Sequence, residues 1–328
     1  AGLKHKTRFG TAALVIAANL PDVDVLAFAT ATPSVALRRG WTHGILAQIL
    51  LPILLTCAFV LFDKWRTRTA AKSDQRPAKT ERRTATLRRA QGRPELRRGT
   101  NNERRTANPE ERSSVRFSGL LLLCYAGVLS HVAMDWLNNY GVRLFMPFSG
   151  RWFYGDAVFI IDPWLWLTLA AGYAVARRVG RPPPARIAVV AATVYILLMT
   201  LSAIAARQHV AAAWTRANGT PPAALMVGPA PIDPFRKSVI VDAGEHYWRG
   251  TFRWWPARLE WDAGRVPRQD RHPAAMRASH DPAFRALLGW ARFPYYEITR
   301  SPGGTRVTLG DMRFGRGPFT VETVVPDQ

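Results

Sequence analysis

The chain has 328 residues and carries 45 Lys and Arg residues against 23 Asp and Glu residues, a formal net charge of +22. The charged residues collect in loops between apolar segments, which is typical of a membrane protein and argues against a soluble basic domain. The two cysteines, Cys57 and Cys124, lie inside apolar runs. They are expected to be small core residues rather than a disulfide or a zinc-binding pair.

The first membrane segment, residues 9–29, contains two carboxylates in apolar surroundings. Asp22 and Asp24 follow Pro21, and Val, Leu and Phe residues flank them. A solvated loop would have polar neighbours, so an Asp-x-Asp pair held here indicates ligands for a hard or borderline cation. Capping of a helix N-terminus by either carboxylate is the alternative interpretation, and one side chain can serve both roles.

A second polar motif precedes the next apolar segment. Residues 44–62 form 19 consecutive positions without a charge, which is enough to span a bilayer core. His43 therefore lies at a membrane boundary, where it is either an interfacial residue or a ligand. Residues 1–62 are thus predicted to form membrane helices with a Pro-Asp-x-Asp motif and a Thr-His motif.

Residues 63–117 differ completely in character, because they hold 17 Lys and Arg residues and 7 Asp and Glu residues. With few large apolar side chains they cannot bury a core, so we predict a basic, disordered cytoplasmic linker. Basic runs of this kind also bind nucleic acid or anionic lipid. No aromatic residue is interleaved between Trp65 and Phe117, and we therefore do not expect a nucleic-acid partner.

Residues 118–206 are predicted to form a second set of membrane helices, the first of which ends in a His-x3-Asp motif. His131 and Asp135 are four residues apart and project from one face of a helix. An imidazole and a carboxylate in this arrangement supply half of a metal site. A buried histidine that is hydrogen-bonded to an aspartate is the alternative interpretation.

Two further carboxylates follow in the same region. Asp156 ends an aromatic-rich connector, residues 138–156, that suits the headgroup level of a membrane. Asp162 lies near the start of the apolar segment 157–176 and is expected either to cap that helix or to join the polar cluster. The segment 187–206 is again uncharged and long enough to span a bilayer.

Residues 207–328 are water-soluble in character and are predicted to form a β-rich domain. Pro and Gly residues punctuate short β-prone runs at 238–241, 247–254, 306–309 and 319–325. The predicted fold class is therefore an α-helical integral membrane bundle of about five segments with a C-terminal, mainly β, soluble domain.

The charge distribution also predicts the orientation of the chain. Placing the basic linker in the cytoplasm puts the basic turn 177–186 and the N-terminal Lys and Arg residues there as well, and only Arg38 and Arg39 oppose this arrangement. The protein is then integral to the inner (plasma) membrane with an extracytoplasmic C-terminal domain. The same assignment brings the candidate acids and histidines to the outer face: Asp22, Asp24, His43, His131, Asp135, Asp156 and Asp162.

Three motifs, in this order, resemble those of the YdjM-type membrane-bound metal-dependent hydrolases. They are Asn-Leu-Pro-Asp-Val-Asp at 19–24, Arg-Gly-Trp-Thr-His at 39–43 and Ser-His-Val-Ala-Met-Asp at 130–135. The run from Tyr140 to Trp164 is similar as well. The resemblance implies an integral membrane protein with a metal-binding hydrolase core. Family members often carry a His before Arg-Gly, where this chain has Arg38.

The residues and the resemblance together predict a hydrolase that acts on a phosphoester or lipid-like substrate at the outer face of the membrane, with membrane lipid as its partner. One or two divalent ions, with Zn²⁺ the expected metal, would activate water. Asp162 or Asp156 would orient a ligand or act as the base. The alternative is a non-enzymatic membrane transporter or scaffold whose polar cluster is structural. The predicted metal ligands are Asp22, Asp24, His43, His131 and Asp135.

Overall fold

The structure, a computed structural model, describes residues 7–29, 39–90, 115–315, 317 and 319–326, with the backbone alone described at 27–29 and 71–90. The chain divides into two compact units that alternate along the sequence. One unit contains residues 2–19 and 49–128, and the other contains residues 20–48 and 129–328. All of the acidic and histidine residues named above as candidate ligands or bases fall in the second unit.

The chain before the β domain is built from helices, and two further short helices lie between strands of the β domain. In chain order, the helices of the described residues are α1 Gly10–Asn19, a 3₁₀ helix Leu20–Ala29, α2 Ile45–Ala90, α3 Phe117–Leu137, α4 Pro163–Val179, α5 Pro183–Asn218, α6 Pro273–Ala278 and α7 Pro282–Leu288.

Three of these helices are long and apolar enough to cross a membrane, namely Ile45–Ala70 of α2, all of α3 and all of α5. The prediction of apolar membrane helices is therefore confirmed, but the other two of the five predicted segments are shorter. The helix α1 has 10 residues and α4 has 17, whereas about 20 are needed to span a bilayer. Pro21 accounts for the early end of α1, because proline disfavours α-helix at the preceding residue.

The helix α2 runs well past the end of its apolar part. Residues 63–90, which the sequence predicts to be part of a disordered linker, continue the helix to Ala90. They are rich in Arg, Lys and Ala, which have high helix propensity, and extending an existing helix avoids the cost of nucleation. The remainder of the predicted linker, 91–114, lies outside the described residues.

The C-terminal part is mainly β, as predicted. A five-stranded antiparallel sheet has the order β1-β2-β3-β4, with β5 paired to β3, and a three-stranded antiparallel sheet has the order β6-β7-β8. The strands are β1 Ala224–Pro229, β2 Arg236–Asp242, β3 His246–Arg253, β4 Arg258–Trp261, β5 Val266–Pro267, β6 Pro294–Ser301, β7 Gly304–Asp311 and β8 Val321–Val325.

The first sheet packs directly on the C-terminal half of α5. Ala206, Val210 and Trp214 of α5 are buried in one cluster with sheet side chains such as Val239 and Phe252. The three α5 residues are spaced four apart and so share one face of the helix. Burying a Val or Phe side chain contributes about 1.5–3 kcal/mol, and the cluster therefore anchors the β domain to α5.

The C-terminal end of α3 is held by the connector that follows it. The Gly155 N–H donates to the Trp136 carbonyl at 2.6 Å, and the Ala157 N–H donates to the Leu137 carbonyl at 2.8 Å. A Cβ atom at Gly155 would lie only 2.8 Å from the Leu137 Cα, so this close approach requires glycine. These contacts fix the last turn of α3, which carries Asp135.

Lys237 is a buried cation in β2, on the sheet face that packs against α5. Burial lowers its pKa to about 8 from the ordinary value of 10.5, although Asp162 and Asp233 partly offset this shift. The pKa of Lys237 is lower in the folded chain than in the unfolded chain, and the charged amine therefore destabilises the folded state. The full penalty applies below about pH 8. This penalty fades as the pH rises from 8 to 10.5.

Lys237→Met is therefore expected to raise the free energy of unfolding by on the order of 2 kcal/mol at pH 7. The difference from the parent chain should shrink as the pH approaches 10. Urea unfolding followed by tryptophan fluorescence at pH 7 and pH 9.5 measures both values. Lys64→Met, at an exposed position of α2, is the matched control and should change little. A destabilised Lys237→Met variant at pH 7 would contradict this account.

Candidate metal centre

Four side chains from three elements converge on one point. Asp22 comes from the 3₁₀ helix, His43 from the turn before α2, and His131 and Asp135 from the last two turns of α3. One nitrogen or oxygen atom from each residue lies within 4.8 Å of the others. The i, i+4 spacing on α3 brings the last two side chains to the same face.

The distances between the facing atoms are short. The Asp135 Oδ2 lies 3.0 Å from the His43 Nε2 and 3.4 Å from the His131 Nε2, while the Asp22 Oδ1 lies 3.5 Å from the His131 Nε2. The His43 side chain is 0% exposed and that of Asp22 is 47% exposed. The cluster is therefore closed around His43 and open to its surroundings at Asp22.

Three of the converging atoms have unmet hydrogen-bonding capacity. The His43 Nε2, the His131 Nε2 and the Asp135 Oδ2 are buried, and none of them makes a hydrogen bond of acceptable geometry with any described residue. Buried polar atoms are rarely left in this state. Two imidazole nitrogens and two carboxylates are also the donor set of many zinc sites, so these residues fit a divalent cation.

Thr42 and Asp24 orient the ring of His43 from behind. The Thr42 hydroxyl donates to the Asp24 Oδ2 at 3.0 Å and lies 2.9 Å from the His43 Nδ1. Because the hydroxyl proton is directed to Asp24, the hydroxyl oxygen accepts from the Nδ1–H. This chain of hydrogen bonds leaves the Nε2 lone pair directed into the cluster, the tautomer that metal ligation requires.

Asp24 therefore lies next to the cluster but is not one of its four members. Its Oδ2 also accepts a hydrogen bond from the backbone N–H of Arg39 at 2.8 Å. The sequence predicts Asp24 to be a metal ligand; in the structure its Oδ2 binds Thr42 and the backbone of Arg39, and its Oδ1 is buried without a hydrogen bond to any described residue.

Arg39 is the residue of this site that the sequence reasoning missed. Its Nη2 lies 2.9 Å from the Asp135 Oδ1, and its Nη1 donates to the Asn138 Oδ1 at 3.0 Å. The guanidinium thus binds one oxygen of Asp135 and leaves the other, Oδ2, to face the histidines. Arg39 lies only four residues before His43, and this closeness could have indicated a role in the site. Its positive charge was interpreted only as an exception to the predicted orientation of the chain.

The other two predicted functional carboxylates lie elsewhere. Asp156 accepts two hydrogen bonds of 2.9 Å from the Arg292 Nη1. Asp162 caps α4 by accepting from the N–H groups of Trp164 and Leu165, and it also accepts from the Tyr195 hydroxyl. The structure brings neither carboxylate into the four-residue group, since both hold structural partners.

The apolar helices and the buried His and Asp cluster define an integral membrane protein with a candidate metal site. The family model described as YdjM inner membrane protein matches residues 1–210, and the chain belongs to this family. The match confirms the resemblance seen in the motifs. It ends within α5, so the β domain lies beyond the matched residues. No curated protein and no solved structure matches the chain.

Proposed function

We propose that this protein is a membrane-bound metal-dependent hydrolase that acts on a phosphoester or lipid-like substrate. The observation that carries the proposal is the convergence of three buried polar atoms from His43, His131 and Asp135, none of which makes a hydrogen bond of acceptable geometry with a described residue. Such a group costs free energy unless a cation binds it. The exposed edge at Asp22 gives a substrate access to that cation.

The four residues of the cluster would hold the ion, with Zn²⁺ the expected metal because two imidazoles and carboxylates suit it. A bound Zn²⁺ supplies Lewis-acid activation of water and of a phosphoryl or acyl group. Arg39 fixes the orientation of Asp135, and Thr42 with Asp24 fixes that of His43. These supporting contacts keep the donor atoms aimed at one point.

A hydrolysis assay tests the proposal. The full chain is purified in detergent, loaded with Zn²⁺ and given bis(p-nitrophenyl) phosphate or a short-chain phospholipid. We expect turnover that a chelator removes, that Zn²⁺ restores, and that is lost in His131→Ala. A chain that retains metal but hydrolyses neither substrate would instead favour a transporter or scaffold. Equal turnover in His131→Ala would contradict the role of the cluster.

Thr42→Val tests the support of His43, because it keeps the shape of the side chain and removes the hydroxyl. Loss of such an outer partner weakens metal binding by roughly 10–100-fold, and we expect a decrease in that range. Competition with a chromogenic chelator measures the dissociation constant for Zn²⁺. Thr67→Val is the matched control, since Thr67 is exposed on α2 and bonds only to its own helix. Unchanged affinity in Thr42→Val would remove Thr42 from the site.

We also propose that the C-terminal domain is extracytoplasmic, which rests on the excess of Lys and Arg in residues 63–117. Single cysteines introduced as Ala90→Cys and Asp270→Cys, in a background that lacks Cys57 and Cys124, report the two sides. An impermeant maleimide added to intact spheroplasts is expected to label position 270 and not position 90. Labelling of both positions from one side would contradict the orientation.

A further inference from the structure

A cavity of about 420 Å³ lies between the end of α3, the connector 151–156, α5 and β1. Its lining combines three arginines with an apolar wall. The arginines are Arg151, Arg207 and Arg292. None of the four residues of the candidate metal centre lines this cavity, so it is a separate feature of the molecule.

The cavity carries an excess of positive charge. Arg292 is paired with Asp156, which is the only acidic residue of the lining. Among the ion pairs of the described residues, none joins Arg151 or Arg207 to a carboxylate; Arg207 donates to the Leu225 carbonyl, and Arg151 lies over the Phe153 ring. Three arginines against one aspartate leave two positive charges, which favours an anionic ligand.

The apolar wall of the cavity continues onto the exposed surface of α5. Thr200, Ala203, Ile204 and Arg207 line the cavity with the spacing of one helix face. Ile204 is 51% exposed, and Leu201, one turn earlier on that side, is 63% exposed. These residues belong to a helix that is long and apolar enough to cross a membrane. A hydrocarbon chain that lies along α5 would therefore lead directly into the cavity.

We propose that this cavity binds an anionic phospholipid, with its phosphate on Arg207 and Arg151 and its acyl chains along Leu201 and Ile204. Arginine presents two N–H groups that match phosphate oxygens. Arg207 is the first charged residue after the uncharged run that begins at Ile187, which suits a position at the headgroup level. The site provides lipid recognition that does not depend on the metal chemistry.

Binding of dioctanoyl phosphatidylglycerol to the full chain in detergent, treated with a chelator and followed by calorimetry, tests the proposal. We expect Arg151→Gln and Arg207→Gln each to weaken binding about 10-fold, the effect of losing one charge-assisted hydrogen bond. Arg216→Gln, at an exposed position of α5 that does not line the cavity, is the control and should stay within about twofold. Inorganic phosphate is expected to bind at least about 10-fold more weakly than the lipid, because it lacks the apolar chains.

Arg151→Gln decides the outcome, because Arg207→Gln also removes a hydrogen bond to the Leu225 carbonyl and so changes the stability of the fold as well. The Arg151 side chain is exposed and its described contact is with the Phe153 ring, so its substitution disturbs the fold less than that of Arg207 does. Lipid affinity in Arg151→Gln equal to that in Arg216→Gln would overturn the proposal. Inorganic phosphate that binds as tightly as the lipid would also overturn it, since the site would then recognise a free anion.

Discussion

His131→Ala and Asp135→Asn are each expected to abolish stoichiometric retention of a divalent cation by the folded chain. His131→Ala removes a donor atom from the four-residue cluster, and Asp135→Asn removes the negative charge that a cation needs while keeping the shape of the side chain. The loss should exceed the roughly 10–100-fold decrease that follows removal of a supporting partner. Inductively coupled plasma mass spectrometry after gel filtration gives the metal content per folded molecule.

His280→Ala is the control, because His280 is exposed and lies outside the cluster. It should keep the metal content of the parent chain. If His131 and Asp135 formed only a buried hydrogen bond, either change would lower stability by leaving a buried partner unsatisfied. Folded His131→Ala with the metal content of the parent chain would therefore defeat the assignment of this residue as a ligand.

Arg313→Ala is expected to destabilise the C-terminal domain by about 3–5 kcal/mol, the usual effect of removing one partner of a buried ion pair. Both side chains of the Arg313–Asp311 pair are 0% exposed, and their atoms approach to 2.8 Å. The guanidinium also donates to the carbonyls of Asn139 and Trp290. The substitution would leave the Asp311 carboxylate buried without its main counter-charge.

Arg306→Ala provides a matched control in β7, the strand that ends at Asp311. Arg306 pairs with Glu322 at 3.2 Å, but both side chains are about half exposed, and exposed pairs contribute at most about 1 kcal/mol. Urea unfolding followed by tryptophan fluorescence measures both variants. Similar destabilisation by the two substitutions would show that burial does not increase the contribution of the Arg313–Asp311 pair to stability.

The Arg313 contact with Asn139 also shows how the β domain is joined to the end of α3. The two residues are 174 positions apart, and other residues of the connector are also far in sequence from their partners in the domain. Arg292 and Asp156 are separated by 136 positions. Sequence spacing reveals neighbours on one helix or strand but not such pairs, and for this reason the pairing of Asp156 with Arg292 could not be predicted.

The candidate site was predictable to the extent that it depends on local geometry. The i, i+4 spacing alone brings His131 and Asp135 together, and the apolar flanks of Asp22 made its carboxylate conspicuous. Asp24 and Thr42 support His43 through contacts on the Nδ1 side of its ring. Such contacts between individual atoms cannot be predicted from the sequence alone. The role of Arg39 could not be predicted because its counter-charge, Asp135, lies 96 positions away on α3.

The helical bundle, like the candidate site, could be predicted only in part from the sequence. Runs of apolar residues predict helices that could cross a membrane, and three of the five predicted segments have the required length. The composition of residues 63–90 argues against a buried core, but it does not exclude a helix. Highly charged residues with good helix propensity can extend a helix that has already formed, and α2 continues through them to Ala90.

X-ray absorption spectroscopy of the purified, Zn²⁺-loaded chain tests the central claim most directly, because it reports the atoms bound to the ion. If Asp22, His43, His131 and Asp135 hold it, the spectrum should contain nitrogen and oxygen neighbours at about 2.0–2.2 Å and the outer-shell pattern of two imidazoles. Sulfur at about 2.3 Å would instead implicate Cys57 or Cys124. A shell of oxygen atoms without imidazole would equally contradict the assignment of His43 and His131 as ligands.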